Sequence, residues 1–123
     1  MKRWMLSAYV RESDNAVELY KKAFGAKIVD SYLNDDGTYY HCELDVYGQI
    51  LAVAERLKTQ GALEGTTMQY CLHFDLKDET EAKRIFEVLK DGAKVHFEGS
   101  TEYSPWLVDL TDKYGIRWCV FVT

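Results

Sequence analysis

The residues best suited to chemistry in this sequence are a histidine and a glutamate two positions apart. His41 and Glu43 lie in an alternating stretch whose other positions hold Cys42, Leu44 and Val46. Because successive side chains of a strand point to opposite faces, His41 and Glu43 should share one face and the apolar residues should form the core face. A proton acceptor beside a carboxylate can orient a substrate or move a proton at neutral pH. The alternative is an exposed polar face on an outer strand.

The same histidine–glutamate spacing recurs once, and the cysteines offer a second kind of chemistry. His96 and Glu98 repeat the spacing on a later strand, where an exposed edge is the favoured interpretation. Cys42, Cys71 and Cys119 are odd in number and contain no Cys-x-x-Cys pair. We therefore expect buried thiols in a reducing compartment rather than disulfides or a structural zinc site.

Aromatic residues supply the candidate walls of a binding site. They make up 14% of the chain, and five on predicted strands or strand entrances are the candidates. These five are Tyr9, Tyr39, Tyr103, Trp106 and Trp118. Aromatic rings with polar tips suit a flat or partly apolar ligand, although core packing explains many of these residues equally well.

Two amphipathic helices and eight strands must position these residues. The first helical stripe starts at Ser13, a candidate cap, and ends at Gly25, and the second ends in the same manner at Gly92. Val-, Ile- and aromatic-rich segments separated by turn residues indicate strands. They are predicted at about 3–10, 26–33, 38–46, 49–56, 68–76, 93–98, 105–111 and 116–122.

An internal repeat organises these elements. The Gly-Ala-Lys step at Gly25 recurs at Gly92, and the Asp-x-Tyr-Gly turn at Asp45 recurs at Asp112, both with an offset of 67 residues. One offset at two separate places indicates duplication. We therefore predict an α+β fold of two tandem βαβββ modules within a single domain, 1–123. Module one covers about 1–57, a linker about 58–67, and module two about 68–123.

Bulk properties exclude several partners. A chain of 123 residues with 47% hydrophobic content can bury one core, and its net charge of −5 includes no large basic cluster. Nucleic acid and anionic membranes are therefore poor partner hypotheses. The apolar run near the N-terminus is too short for a signal peptide or a membrane span, so a cytoplasmic location is expected. No phosphate loop, nucleophile elbow or dinucleotide fingerprint is present in the sequence.

Three segments carry a resemblance to a known family. They are residues 19–26 (LYKKAFGA), 81–86 (EAKRIF) and 112–118 (DKYGIRW). With the paired βαβββ pattern, they resemble the vicinal oxygen chelate superfamily of glyoxalase I, extradiol dioxygenases and bleomycin-resistance proteins, and in particular its PhnB-like branch. The resemblance implies a cup of two curved sheets, a small-molecule ligand and a homodimer.

The resemblance also implies where a metal would bind. Counting back from the helix-ending glycines places the family's four ligand positions at Met5, Ala52, His73 and Cys119. Only His73 is a typical ligand, so we expect no metal cofactor, and the alternative is a divalent metal near His73. His73 itself is either a hydrogen-bonded cup or core histidine or a ligand or acid–base group. Related PhnB-like chains carry Trp-Gly before the seventh strand, where this chain has Tyr-Ser-Pro-Trp at 103–106.

Three functions are compatible with these observations. The first is a small-molecule-binding protein without the usual metal site, with the five aromatic residues and Cys119 lining the ligand. The second is a lyase, isomerase or dioxygenase that uses a divalent metal or a proton shuttle through His41, Glu43 or His73. The third is an interaction module without a ligand.

Overall fold

A computed structural model describes residues 1–57 and 68–123 of the chain. The chain divides into two compact units, Met1–Ala62 and Leu63–Thr123. The predicted linker, 58–67, lies outside the described residues. Within those residues, no helix has both the length and the apolar character needed to cross a membrane.

The first unit is one βαβββ module. Its elements are β1 (Leu6–Val10), α1 (Ser13–Phe24), β2 (Lys27–Leu33), β3 (Tyr39–Val46) and β4 (Gln49–Glu55). The sheet order is β1-β4-β3-β2, with β1 parallel to β4 and the other pairs antiparallel. This arrangement makes β1 and β2 the edge strands.

The second unit repeats the arrangement. Its elements are β5 (Tyr70–Phe74), a short 3₁₀ turn (Leu76–Asp78), α2 (Glu79–Leu89), β6 (Lys94–Gly99), β7 (Trp106–Thr111) and β8 (Arg117–Val122). The sheet order is β5-β8-β7-β6, and β5 is parallel to β8. The predicted α+β fold of two βαβββ modules is confirmed, although β1 and β5 start later than predicted.

Each helix packs on one face of its own sheet. The buried stripe of α1, which includes Val17 and Tyr20, faces the strand positions predicted to form the core. Cys42 and Leu44 on β3 are fully buried, and their register partners Val53 and Leu51 on β4 are buried as well. We call the opposite side of each sheet its helix-free face, and it is there that His41 and Glu43 lie.

The start of α1 is held by a strand rather than by its own cap. The residue before the helix, Glu12, adopts a left-handed conformation (φ 57°) and its side chain makes no capping bond. Instead, the carboxylate of Glu55 accepts hydrogen bonds from Glu12 N (3.1 Å), Ser13 N (2.9 Å) and Ser13 Oγ (2.8 Å). Ser13 Oγ in turn accepts a hydrogen bond from Tyr39 N at 2.8 Å. The prediction that Ser13 caps the helix is therefore wrong in detail, because Ser13 links the helix to two strands.

The repeated glycines have conformational reasons. Gly25 follows α1 at φ 61° as predicted, whereas α2 ends at Leu89 and Gly92 (φ 72°) lies in the following turn. Gly48 and Gly115 also have positive φ, at 84° and 89°. Only glycine adopts this region without steric cost, so the repeat preserves residues that the turns require.

Candidate functional site

The helix-free face of the first sheet carries a buried carboxylate held by an arginine. Glu43 on β3 is 4% exposed, and Arg3 binds it end on, with Nη1 donating to Oε1 and Nη2 donating to Oε2 at 2.9 Å. Nε2 of His41 lies 2.9 Å from Oε2. We refer to Arg3, His41 and Glu43 as the Glu43 cluster. Bidentate arginine–carboxylate pairs are geometrically specific, so Arg3 fixes the orientation of the carboxylate.

The charge state of Glu43 determines what its neighbour can do. The hydrogen bond from Arg3, followed by that from His41, lowers the pKa of Glu43 from 4.5 to about 2. Glu43 is therefore an acceptor-only carboxylate at neutral pH, and His41 Nε2 must be the donor in their contact. This leaves Nδ1 of His41 as the ring nitrogen that can accept a proton from a ligand.

The second sheet carries an equivalent group around Asp109 on β7. Arg117 donates through Nε to Oδ1 (3.0 Å) and through Nη2 to Oδ2 (2.7 Å), and Gln69 Nε2 donates to Oδ1 at 2.9 Å. The hydrogen bond from Arg117 lowers the pKa of Asp109. We refer to Gln69, Asp109 and Arg117 as the Asp109 cluster.

The carboxylates of the two clusters occupy matching positions in the repeat, whereas Arg3 precedes β1 and Arg117 lies on β8. Glu43 is the register partner of Ala52, and Asp109 is the register partner of Cys119, which lies 67 residues after Ala52. Each module therefore presents one arginine-bound carboxylate at the same place on its helix-free face.

Sequence reasoning missed four members of these clusters: Arg3, Gln69, Asp109 and Arg117. Asp109 could have been found, since it is the single charge in the apolar strand segment Trp-Leu-Val-Asp-Leu. Arg3 and Gln69 precede their strands and contact residues 40 positions away, so no local pattern indicates them.

A group of aromatic rings that includes His73 lies on the helix-free face of the second sheet. His73 is exposed, its ring stacks on Phe121 at 4.5 Å, and its Nε2 lies 2.7 Å from Thr123 Oγ1. The ring of Tyr103 meets Phe121 edge on at 5.6 Å. The predicted site residues His73 and Tyr103 are therefore joined through Phe121, a residue that the sequence analysis did not single out.

The two candidate tryptophans lie on the other side of this sheet. Trp106 packs against Phe86 of α2, with ring centroids 6.1 Å apart. Trp118 is 2% exposed, and its Nε1 donates to Asp112 Oδ2 at 2.8 Å. Strand alternation puts both on the face that α2 covers, so they pack in the core of the module, away from the helix-free face where a ligand was expected.

The candidate tyrosines of the first module are separated. Tyr9 is exposed and lies on the helix-free face, opposite in direction to the buried Ala8 and Val10. Tyr39 is directed towards α1: burial raises the pKa of its hydroxyl, and charges on Glu18 and other α1 residues also affect it. The pairing of β2 with β3 shifts register between Tyr32 and Leu33. Because of this shift, Tyr39 and His41 point to opposite faces although they are two positions apart.

A second irregularity separates His96 from Glu98. The register of β6 shifts between Val95 and Phe97, so the two residues do not share a face despite their spacing. The exposed His96 ring contacts Thr111 Oγ1 at 2.8 Å, whereas Glu98 accepts a hydrogen bond from Trp106 Nε1 at 3.2 Å. The repeat of the His-x-Glu spacing therefore has no structural counterpart.

The cysteines differ in exposure. Cys42 and Cys119 are buried, and burial raises the pKa of each thiol to about 11. Cys71 is exposed, so the expectation that all three thiols are buried is wrong for this residue. The cause is its position on the helix-free side of an edge strand.

The residues at the family's ligand positions offer few donor atoms for a divalent metal. Ala52 has no donor atom, and the carboxylate of its neighbour Glu43 is already bound by Arg3. His73 is in register with Phe121, so the neighbour of Cys119 is Cys71 instead. Across the described ranges, no three His, Cys, Asp or Glu side chains are grouped to hold a metal ion. The donor set does not fit the oxygen- and nitrogen-rich site of metal-dependent relatives.

Comparison with known proteins gives matches at the level of structure. No family model and no curated protein matches the sequence. The PhnB protein from Bacillus cereus superimposes with a TM-score of 0.83 at 20% identity, covering 100% of both chains. Protein PA1353 from Pseudomonas aeruginosa gives a TM-score of 0.81 at 19% identity, covering 99% of this chain and 98% of that one.

A fosfomycin resistance protein is also similar. FosX from Listeria monocytogenes, solved with Mn(II) and a sulfate ion, gives a TM-score of 0.69 at 11% identity and covers 98% of this chain and 91% of its own. Such identities establish architecture alone. The chain therefore has the glyoxalase/bleomycin-resistance fold that the sequence predicted, as do the PhnB and FosX structures.

Proposed function

We propose that this protein binds a small molecule bearing an oxyanion, such as a carboxylate or phosphonate, at an arginine on the helix-free face of a sheet. The observation that carries the proposal is the pair of matching clusters, in which Arg3 and Arg117 are each held by a carboxylate. A side chain fixed in this way is pre-organised for a ligand, because its ordering cost is already met by the fold.

Both arginines have capacity left for a ligand. Their side chains are 45% and 40% exposed, and each bidentate pair uses only some of the N–H donors of a guanidinium. Planar N–H pairs match carboxylate and phosphonate oxygens. The ring of Tyr32 lies 6.4 Å from that of His41 and supplies apolar surface for the remainder of a ligand.

FosX was solved with both an anion and a metal. The anion is the part that agrees with this chain, since the arginines offer donors for oxyanions. We do not propose a metal like that of FosX for this chain, because Ala52 offers no ligand and Glu43 is bound by Arg3. We therefore propose ligand binding without a resident divalent metal. Stoichiometric Ni, Mn, Zn or Fe in protein purified without chelators, lost in His73→Ala, would contradict this part of the proposal.

A panel of small carboxylates and phosphonates, read first by thermal shift and then by calorimetry, tests the binding proposal. A compound that binds the wild type should bind at least tenfold more weakly to Arg3→Met or Arg117→Met. Arg84→Met is the matched control, because Arg84 pairs with Glu81 on the surface of α2. Equal affinity of every variant for a bound compound would exclude the arginines as the anion site.

A proton-shuttling enzyme is the second candidate, favoured by one specific contact. Glu43 fixes His41 so that Nδ1 can accept a proton, an arrangement suited to a lyase or isomerase that removes a proton beside a carbonyl. Exchange of such a proton with deuterated solvent, followed by NMR on a compound shown to bind, tests this activity. Exchange by the wild type that is lost in His41→Gln, with affinity retained, supports catalysis. Binding without exchange supports the binding protein.

A further inference from the structure

Two cysteines lie side by side on the helix-free face of the second sheet. Cys71 on β5 and Cys119 on β8 are direct register partners in a parallel strand pair. Burial is the main cause that raises the pKa of Cys119, and its interaction with Cys71 adds to the effect, as expected for thiols on paired positions of adjacent strands. Neighbouring strands are separated by about 4.8 Å, a distance inside the range of Cα separations that a disulfide spans.

The two thiols differ in access. Cys71 is exposed, whereas Cys119 is 6% exposed. An oxidant can therefore reach Cys71 first, and the thiol next to it belongs to the same chain. An exposed cysteine beside a second thiol is the arrangement of a reactive and a resolving cysteine.

We propose that Cys71 and Cys119 form a reversible oxidation site, closing an intrachain disulfide between β5 and β8. With a hydroperoxide, the Cys71 thiolate attacks the peroxide oxygen and becomes a sulfenic acid, releasing water or an alcohol. The Cys119 sulfur then attacks the Cys71 sulfur, an S–S bond forms, and the hydroxyl leaves as a second water. The peroxide is reduced by two electrons, and the two thiols are oxidised by the same number.

The oxidation of the two cysteines does not depend on the proposed ligand, although the cysteines lie next to the Asp109 cluster. Cys119 is also the register partner of Asp109, whose carboxylate holds Arg117. A covalent link at this position would join the edge strand to the strand beside the Asp109 cluster.

Thiol counting on the whole protein tests the site. The native protein is treated with hydrogen peroxide, denatured, alkylated and weighed intact. We expect three alkylated thiols before oxidation and one after it, with full recovery after dithiothreitol and a Cys71–Cys119 linked peptide on digestion. Cys42→Ala is the matched control, because Cys42 is buried in the other module and should not change the loss of two thiols.

Two cysteine variants test whether the disulfide forms between Cys71 and Cys119. Cys71→Ser, at an exposed position, should retain its Cys42 and Cys119 thiols under the same treatment, while Cys119→Ser should give Cys71 sulfenic acid or a disulfide between chains. Three remaining thiols in the oxidised wild type would overturn the proposal. So would irreversible sulfinic acid at Cys71, or a disulfide that only joins separate chains.

Discussion

Single side chains set the chemistry of the first module through their charge. Glu43 stays ionised because Arg3 and His41 both donate hydrogen bonds to its carboxylate. Burial opposes ionisation but is the smaller influence on the pKa. The ionised carboxylate then determines which ring nitrogen of His41 carries a proton. Arg3 therefore acts on His41 through Glu43.

Removing Arg3 should release this control. In Arg3→Met, the pKa of Glu43 should rise from about 2 towards its ordinary value of 4.5, because the largest lowering influence is lost while the hydrogen bond from His41 and the opposing effect of burial remain. Carbon-detected NMR titration of the glutamate carboxyls measures the change. Arg84→Met should leave the Glu43 titration where it is, and an unchanged titration in Arg3→Met would show that Arg3 does not bind Glu43 in solution.

The same shift predicts how stability depends on acid. Glu43 has a pKa lower in the folded chain than in the unfolded chain, so its contribution is fully present above pH 4.5 and is lost as pH falls towards 2. In Glu43→Gln, the free energy of unfolding should therefore decrease less than in the wild type as pH falls from 4.5 towards 2. Urea unfolding at a series of pH values measures it, with Glu102→Gln as an exposed control. Parallel pH profiles for wild type and Glu43→Gln would refute the assignment.

The site was predictable where it follows strand alternation and unpredictable where it depends on long-range contacts. The shared face of His41 and Glu43 follows from the buried Cys42 and Leu44 between and beside them. Trp118 could have been assigned to the core by the same rule, since it alternates with Arg117 and Cys119, which lie on the helix-free face. Arg3 carries no such signal, because its partner lies 40 positions away.

At the scale of elements, residue composition predicted the β-strands but not the register shifts in their pairing. Register shifts in β2–β3 and β6–β7 turn Tyr39 towards α1 and separate His96 from Glu98. Bulges depend on how two strands pair, so a single strand's sequence does not reveal them. The end of α1 was predicted correctly, since Gly25 follows it, whereas α2 ends at Leu89, before the predicted Gly92.

The anchoring of α1 by Glu55 makes a prediction about the helix. Glu55→Ala removes the acceptor for Glu12 N, Ser13 N and Ser13 Oγ, and should destabilise the protein by about 1–3 kcal/mol. Chemical denaturation followed by circular dichroism measures the loss. Glu102→Ala provides an exposed control that should change stability little. A loss in Glu55→Ala no greater than in this control would mean that backbone packing alone holds the start of α1.

At the scale of the whole molecule, an exposed apolar edge remains to be explained. Strand β2 is an edge strand, and Val29 and Leu33 are 54% and 64% exposed. Exposed apolar edge strands are uncommon in monomers because they promote association. The resemblance to vicinal oxygen chelate proteins led us to expect a homodimer, and this edge is where we propose that a second copy pairs.

Light scattering coupled to size exclusion should therefore give a mass of twice 14.3 kDa. Val29→Lys with Leu33→Lys should shift the protein towards the monomer mass, because two charges would have to be buried in the interface. Val95→Lys, on β6, an edge strand of the second module, is the control and should leave the dimer intact if β2 carries the contact. A wild-type mass of 14.3 kDa at every concentration would show that β2 remains open in solution. A dimer broken only by Val95→Lys would place the contact on the second module instead.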